Sequence, residues 1–424
     1  MKDIEQTISP LLVCQTDLSG GAARAAYRLH TALRSFDVPS SMMVGEKRSD
    51  DRSVIKRRSA CTQSLRFAFG QQIMRLQRSN NLNLRSGNWL PSAWAQTLNQ
   101  SKADVINLHW VAGEVLSIED IGRIRKPIVW TLHDMWPFCG TEHYTSDDAK
   151  ARWRVGYRKG NRSPGEGGLD VDRLVWRRKQ RAWRRDMHIV APSRWLADCA
   201  RQSALFRDWS VAVIPNALDT QVYKPLDRAF CRAVLNLPQD KKIILFGAIH
   251  GGRNPIKGFD LLLTALNRLA TQMDVENLLC VVFGQTQPHT SAVVPINTRW
   301  MGHFHDDAAL ALLYNAADVM VVPSRQENLV QTALEPQACG VPVVAFNCTG
   351  LPDIIVHRET GYLAGAFNPD DMAEGIRWIL ETQSCRARLG DAARKRALQL
   401  WAPEVVVPQY LELYKNAASS GSKT

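Results

Sequence analysis

The sequence predicts an α/β protein built from two doubly wound parallel sheets, each covered by helices. Three observations lead there. The chain has 424 residues, too long for one ordinary hydrophobic core at roughly 150 residues per domain. Short Val/Ile/Leu runs alternate with amphipathic stretches, the pattern of strands buried on both faces. The alternation occurs twice, and the two series meet near Pro215 to Pro225.

The first series opens with the strand PLLVCQT, followed by a glycine-rich turn and the Ala-rich amphipathic helix in DLSGGAARAAYRLHTALRSF. SSMMVG is the next strand, and a long polar stretch runs to about Asn99. ADVINLHW and KPIVWTLHD are further buried strands; HIVAPS, the helix WLADCARQS and VAVIPNALD complete the series. The second series starts at KKIILFGAIH. It continues through the helix FDLLLTALNRLATQ, the strand LLCVVFG, the helix DAALALLYNAA, the strand DVMVVPS, another helix and the strand VPVVAF. The last stretch, APEVVVPQYLELYKNA, is an amphipathic helix with Val406, Leu411 and Tyr414 on its apolar side, kinked or started late at Pro408. The expected domains are therefore 1–218, 219–403 and a terminal helix at 404–424 that crosses back onto the first. Doubly wound sheets bind ligands at the carboxyl ends of their strands, here in a cleft expected between the two domains.

With 45% hydrophobic and 22% charged residues the composition is that of a soluble globular protein. No apolar run approaches the ~18 residues of a membrane-spanning helix, and the opening MKDIEQTISPLLVCQT carries acids where a signal peptide has none. Nine cysteines are scattered singly with no CxxC pair, which predicts a reduced, intracellular chain without disulfides or zinc. The net charge of +12 is local: residues 150–185 hold 13 Lys or Arg against three acids. Asp170-Val171-Asp172 has the form of a metal-binding Asp-x-Asp, but it precedes RLVWRRKQRAWRR, so helix capping is the better reading.

The chemistry concentrates in ENLVQTALE, where Glu327 and Glu335 stand eight positions apart. A helix beginning just after Glu327 would set them about 12 Å apart along its axis, comparable to the span from sugar to ribose across a diphosphate. Backbone N–H groups of Asn328, Leu329 and Val330 would then form an anion site at the helix N-terminus. Glu335 would grip ribose hydroxyls and Glu327 the sugar. Either acid taken alone reads equally as a cap or a solvated residue. GAIHGGRNPIKGFDLLL, after the first strand of the second series, supplies Arg253 and Lys257 on a glycine-rich loop, the positive charge that a departing diphosphate requires. Gly20 and Gly21 permit close backbone approach at the first strand-to-helix turn, although the full GxGxxG pattern is missing. His133 and Asp134 in WTLHDMWPFCG end a strand, a polar pair better suited to a cleft than to a core.

Together these segments resemble the family-four retaining glycosyltransferases with the GT-B fold. The matching stretches are GGAARAAYRL, WTLHD, APSRWLADCARQS, VIPNALDTQVYKP, KGFDLLL, ALLYNAADVMVVPSRQENLVQTALEPQACGVPVVAF, GLPDII and TGYLAG, in the family's order and over most of the chain. NLHW and HDMWPFCG resemble the branch that builds bacterial exopolysaccharide and lipopolysaccharide. The resemblance implies that Arg253 and Lys257 bind the donor diphosphate, Glu327 the donor sugar, Glu335 the ribose, and the backbone at Asn328, Leu329 and Val330 the phosphates and sugar. It places His133 by the transferred sugar and Gly21 near the reaction centre. It also implies that no metal or other cofactor is required. The sequence departs from the family pattern at Arg253, which lies four rather than five residues before Lys257, at NALD, and at Asp353 in GLPDII.

The expected function is transfer of a sugar from a nucleotide sugar to a glycan or polyprenyl-diphosphate-linked acceptor. The alternatives are a nucleic-acid-binding protein that uses the Arg-rich segment with Trp153, Tyr157, Trp176 and Trp183 as stacking platforms, and a nucleotide-sugar epimerase of similar fold. The same basic, aromatic composition, together with SLRFAFGQQIMRLQRS at 64–79, suits an anionic membrane surface. Peripheral attachment to the cytoplasmic face, without nucleic acid, is the favoured expectation.

Overall fold

The structure, a computed structural model, describes residues 8–57, 63–81, 83–247, 254–287, 294–381 and 383–421. Its contacts divide the chain into one unit of Met1–Ala217 with Val406–Thr424 and a second of Leu218–Val405. In the first unit the strands are β1 (Pro10–Thr16), β2 (Ser41–Glu46), β3 (Val54–Lys56), β4 (Gln77–Arg78), β5 (Val105–Leu108), β6 (Ile128–Thr131), β7 (Gly167–Gly168), β8 (His188–Ala191) and β9 (Val211–Val213). Seven of them form a parallel sheet in the order β3-β2-β1-β5-β6-β8-β9, while β4 and β7 pair as a small antiparallel ribbon. All four residues of VINL in β5 and of IVWT in β6 are buried, as expected where both faces of a parallel sheet are covered. Ile106, Leu108 and Trp130 pack to one face; Leu12, Cys14, Val129 and Val190 pack to the other.

That second face is closed by two helices. Gly21–Ser35 buries Ala23, Ala26, Leu29 and Leu33. The terminal helix, Pro403–Gly421, contains Pro408 without ending there, and it buries Val406, Val407, Tyr410, Tyr414 and Ala417. Tyr414 Oη donates to Asn107 Oδ1 at 2.6 Å, and Tyr410 Oη lies 3.1 Å from Thr131 Oγ1. The end of the chain is thereby bonded to the middle of β5 and the end of β6.

The second unit has β10 (Lys242–Gly247), β11 (Leu278–Phe283), β12 (Thr298–Trp300), β13 (Val319–Val322), β14 (Val343–Phe346) and β15 (Gly361–Ala364), all parallel in the order β12-β11-β10-β13-β14-β15. Its strands alternate between two cores. Leu245, Val281, Met320 and Val343 face one side, while Ile244, Phe246, Cys280, Val321 and Val344 face the other. The short strands β3 and β12 carry weak sequence signals, because three-residue segments such as VIK and TRW show no usable period.

The basic segment differs from its sequence reading. Trp153, Tyr157, Trp176 and Trp183 are all buried and belong to the first unit's core, so none is presented to a base or a lipid headgroup. Lys179 is fully buried, and its ammonium group donates to the carbonyls of Trp136, Cys139 and Gly140. Arg178 is paired with Glu119 at 2.6 Å. Asp170 caps the helix Val171–Ala182 by accepting from Arg173 N, and Asp172 is buried against Arg85. Much of the segment's charge therefore serves packing. Among the described residues no helix is long and apolar enough to cross a membrane, and no cluster of three or more His, Cys, Asp or Glu is arranged for a metal. The eight described cysteines are unpaired.

Candidate functional site

In the second unit the residues after β13 do not enter a helix at once. The helix is Gln331–Ala338, with Val330 as an extended N-cap (φ −77°, ψ 131°) and no side-chain cap. This corrects the expectation of a helix starting just after Glu327, and with it the helical 12 Å spacing between the two acids. The cause is local: Glu327 N–H donates to Thr349 Oγ1 at 3.0 Å and Gly350 N–H donates to Glu327 O at 2.9 Å. Those bonds commit the backbone of Glu327 to the 348–350 turn. Gly350 is required there, because a Cβ would lie 1.7 Å from Asn328 O.

Lys257 ends a short 3₁₀ turn, Pro255–Lys257, and Gly258 follows at φ 65°. A Cβ on Gly258 would sit 1.9 Å from Pro323 O, so only glycine lets this loop touch the end of β13. Arg325 fastens the contact. Its N–H donates to Ile256 O at 2.7 Å, and its guanidinium reaches Pro255 O at 2.8 Å and both carboxylate oxygens of Asp260 at 2.8 and 2.6 Å. The bidentate pair holds the Asp260 carboxyl below its ordinary range. The outcome is that Lys257 Nζ donates to Glu327 Oε1 at 2.6 Å. Two expected site residues, far apart in sequence, meet at the carboxyl ends of β10 and β13. Asn328 and Leu329 are buried just beyond, with Val330 half-buried.

Glu335 lies about one turn inside the helix and is buried, with Tyr314 Oη donating to its Oε2 at 2.6 Å. Burial and the neighbouring Glu335 carboxylate push the Tyr314 hydroxyl well above its ordinary range. Arg253 lies outside the described residues.

In the first unit Gly20 (φ 88°) is the N-cap of Gly21–Ser35, and a Cβ at Gly20 or Gly21 would meet nothing within 4 Å. The turn has open space before it. His109 and His133 follow neighbouring strands β5 and β6, and His109 Nδ1 lies 3.0 Å from His133 Nε2. Burial pushes the His133 imidazole down to about 4, partly opposed by Asp134, and pushes His109 well below its usual range. Asp134 sits in a closed network, accepting from Trp110 Nε1 at 2.9 Å and Trp136 N at 2.9 Å and lying 2.6 Å from His143 Nδ1. Burial alone would raise its pKa, yet these donors hold it below the usual carboxylate range. A surface depression of about 580 Å³ beside Gln96, Asn99, Arg123 and Arg185 opens near the start of β6. That is the wrong end of a doubly wound sheet for a ligand.

Sequence reasoning missed Arg325, Tyr314, Thr349 and His109 as parts of these clusters. For His109 a signal exists, since NLHW sets a polar ring at the end of an apolar strand.

Residues 19–222 match the family model described as Glycosyltransferase Family 4, and residues 227–396 match Glycosyl transferases group 1. A D-inositol 3-phosphate glycosyltransferase of Nocardioides sp. is 29% identical over 235 residues, 49% of this chain and 48% of that one. The chain thus spans about half the length of that relative. A protein of the same description from Corynebacterium glutamicum is 27% identical over 336 residues, 75% of this chain and 73% of the relative. The solved structure of Anabaena Alr3699/HepE in complex with UDP-glucose is similar in fold, with a TM-score of 0.64 at 16% identity, covering 96% of this chain and 100% of that one. One family model falls on each unit, both sheets are parallel and doubly wound, and the fold likeness extends over nearly the whole chain: the protein belongs to the family-four glycosyltransferases of GT-B fold.

Proposed function

We propose that the protein moves a sugar from a nucleotide sugar to a glycan or polyprenyl-diphosphate-linked acceptor, in assembly of a bacterial surface polysaccharide. Transfer retains the anomeric configuration and needs no metal. The observation that carries the donor half is the Lys257–Glu327 pair beside the uncapped start of the Gln331–Ala338 helix. A bound diphosphate offers Lys257 a stronger partner than a single carboxylate and frees Glu327 to accept from the sugar hydroxyls. Arg253 and the backbone at Asn328, Leu329 and Val330 complete the anion site, in place of a cation such as Mg²⁺. Glu335, oriented by Tyr314, takes the ribose. His133 contacts the transferred sugar, and Gly20 and Gly21 leave room for the reacting groups. Departure of the diphosphate is then assisted by charge, and the acceptor hydroxyl attacks from the same face. The UDP-glucose bound by the Anabaena protein supports a nucleotide-sugar donor.

A thermal-shift panel of nucleoside diphosphates and nucleotide sugars tests this. Ligand at 100 times its dissociation constant stabilises the folded state by about 2.7 kcal/mol. At least one member should raise the melting temperature of the wild type and not that of Lys257→Ala; no shift from any member overturns the reading. A second acceptor reading, an inositol phosphate, is favoured by the names of the two relatives. Transfer assays with D-inositol 3-phosphate beside a lipid-linked diphosphate decide between them.

Attachment to the cytoplasmic membrane face belongs to the same proposal, on a surface narrower than the sequence indicated. Leu65, Phe69, Leu76 and Leu169 are exposed on the helix Gln63–Met74 and the β4–β7 ribbon, with Leu169 N–H donating to Leu76 O at 2.9 Å. Arg75 and Arg78 are exposed beside them. Each cation near an anionic bilayer contributes about 1 kcal/mol. Co-sedimentation with phosphatidylglycerol vesicles should fall with added salt and in a Phe69→Ser/Leu76→Ser variant; wild type left in the supernatant at low salt removes this part.

A further inference from the structure

His109 is fully packed between strands. Its N–H donates to Val13 O at 2.9 Å, and its carbonyl accepts from Trp130 Nε1 at 3.2 Å. The ring's Nδ1 meets His133 Nε2 at 3.0 Å with 25° between the ring planes, so the shared hydrogen lies near both planes. His109 Nε2 is buried with no partner among the described residues. His133 is only half-buried, and with Nε2 engaged its open edge is Nδ1. Both rings are neutral at ordinary pH because burial opposes their protonation.

One proton lies between the two rings, and two arrangements exist. If His133 Nε2 carries it, His109 must carry its own proton on Nε2, a buried N–H with no acceptor. If His109 Nδ1 carries it, the orphan on His109 is a lone pair instead. Orphaned buried N–H groups are the rarer of the two in folded proteins. We infer that His109 is a positioning residue: it donates through Nδ1 to His133 Nε2 and so fixes His133 as an Nδ1–H tautomer whose open edge donates a hydrogen bond and accepts none.

His133 in that state can donate to a sugar hydroxyl or a developing oxyanion, and it cannot take a proton there as a general base. The use of this edge rests on the reading of His133 as the sugar-side residue; the tautomer does not. The test is a long-range ¹H–¹⁵N correlation spectrum of the full chain labelled with ¹⁵N-histidine at neutral pH, with the His133 signals identified by their loss in His133→Gln. The expected result is a protonated Nδ1 and a bare Nε2. A protonated Nε2 on His133 overturns the inference outright, without any variant of His109. The kinetic arm compares His109→Phe, which removes the donor, with His109→Asn, whose amide N–H restores one. His109→Phe should lower kcat by roughly tenfold or more, the size of effect that loss of orientation produces, with little change in donor KM. His109→Asn should recover most of that loss. Equal kcat in all three forms refutes the positioning role. If His133→Gln itself transfers at the wild-type rate while the spectrum shows Nδ1–H, the sugar-side reading fails and the tautomer assignment stands.

Discussion

In the second unit, the Lys257 ammonium has a single protein partner among the described residues, the carboxylate of Glu327, and its side chain is about a quarter exposed at 27%. In the first unit, Asp134 is surrounded by Trp110, Trp136 and His143, and His143 passes the chain on to Ser86 Oγ at 2.9 Å. The first arrangement is a pair that a stronger anion can open. The second is a saturated network whose members have nowhere better to go. A charged pair near solvent contributes little to stability and much to chemistry; a buried network does the reverse, because any deletion leaves a polar group without water or partner.

The comparison breaks most visibly in turnover. Lys257→Ala and Glu327→Ala should each lower transfer by more than tenfold, since losing one charge-stabilising donor typically costs about 3 kcal/mol in the transition state. Both should melt close to the wild type, as measured by differential scanning fluorimetry beside the transfer assay. Wild-type transfer in both variants would mean that the pair is merely structural.

These two clusters were unequally legible in the sequence. Lys257 and Glu327 lie on loops after strongly apolar strands and Glu335 on the helix that follows, and their residue types contradict a core, so their placement at the strand ends was readable. The Lys257–Glu327 contact was not, because it depends on Gly258 resting against Pro323 and on Arg325 bridging to Asp260. Helix onset at Gln331 was hidden for the same reason: Thr349 and Gly350 arrive from a different loop and claim the backbone of Glu327. In residues 150–185 composition misled outright. The charge count was correct, but Trp153, Trp176 and Trp183 face inward, and a local period cannot reveal which face a neighbouring helix covers. The two parallel sheets were legible because β5, β6, β13 and β14 are short apolar runs with no competing interpretation.

The saturated side of the comparison has a pH signature. His133 takes up a proton in the unfolded chain near 6.5 but in the folded protein only near 4. Between those values the unfolded chain binds more protons, so stability falls as pH drops through that window and is fully present above it. His133→Gln should flatten the part of the urea-midpoint profile between pH 6.5 and 4 that His133 carries. An unchanged slope would place the ring in water. In the second unit Lys257→Ala should leave that window untouched.

Asp134→Ala sharpens the contrast on stability. It strands the buried Trp136 N–H and His143 Nδ1, and a buried unsatisfied group costs about 1–3 kcal/mol. A loss of about 2 kcal/mol in urea unfolding is expected, larger than for Lys257→Ala. Equal losses in the two variants would erase the distinction between an exchangeable pair and a locked network.

The smallest effect lies at the terminal helix, and it asks how far the locked network extends. Tyr414 Oη donates to Asn107 Oδ1 at 2.6 Å, and Asn107 Nδ2 in turn donates to Val129 O and Thr131 Oγ1, each at 3.1 Å. Asn107 and Thr131 each stand two positions before a histidine of the His109–His133 pair, on β5 and at the end of β6. Tyr414→Phe keeps the ring in place and removes only the hydroxyl, leaving Asn107 Oδ1 without its donor. The cost should be about 1 kcal/mol. Tyr410→Phe should cost less, because Thr131 keeps its bond from Asn107. If the network is rigid through the strands, Tyr414→Phe lowers the urea midpoint and leaves the His133 imidazole spectrum and the transfer rate within about twofold of wild type. A fall in transfer larger than the fall in stability would instead show that the helix at the end of the chain sets the position of the histidines.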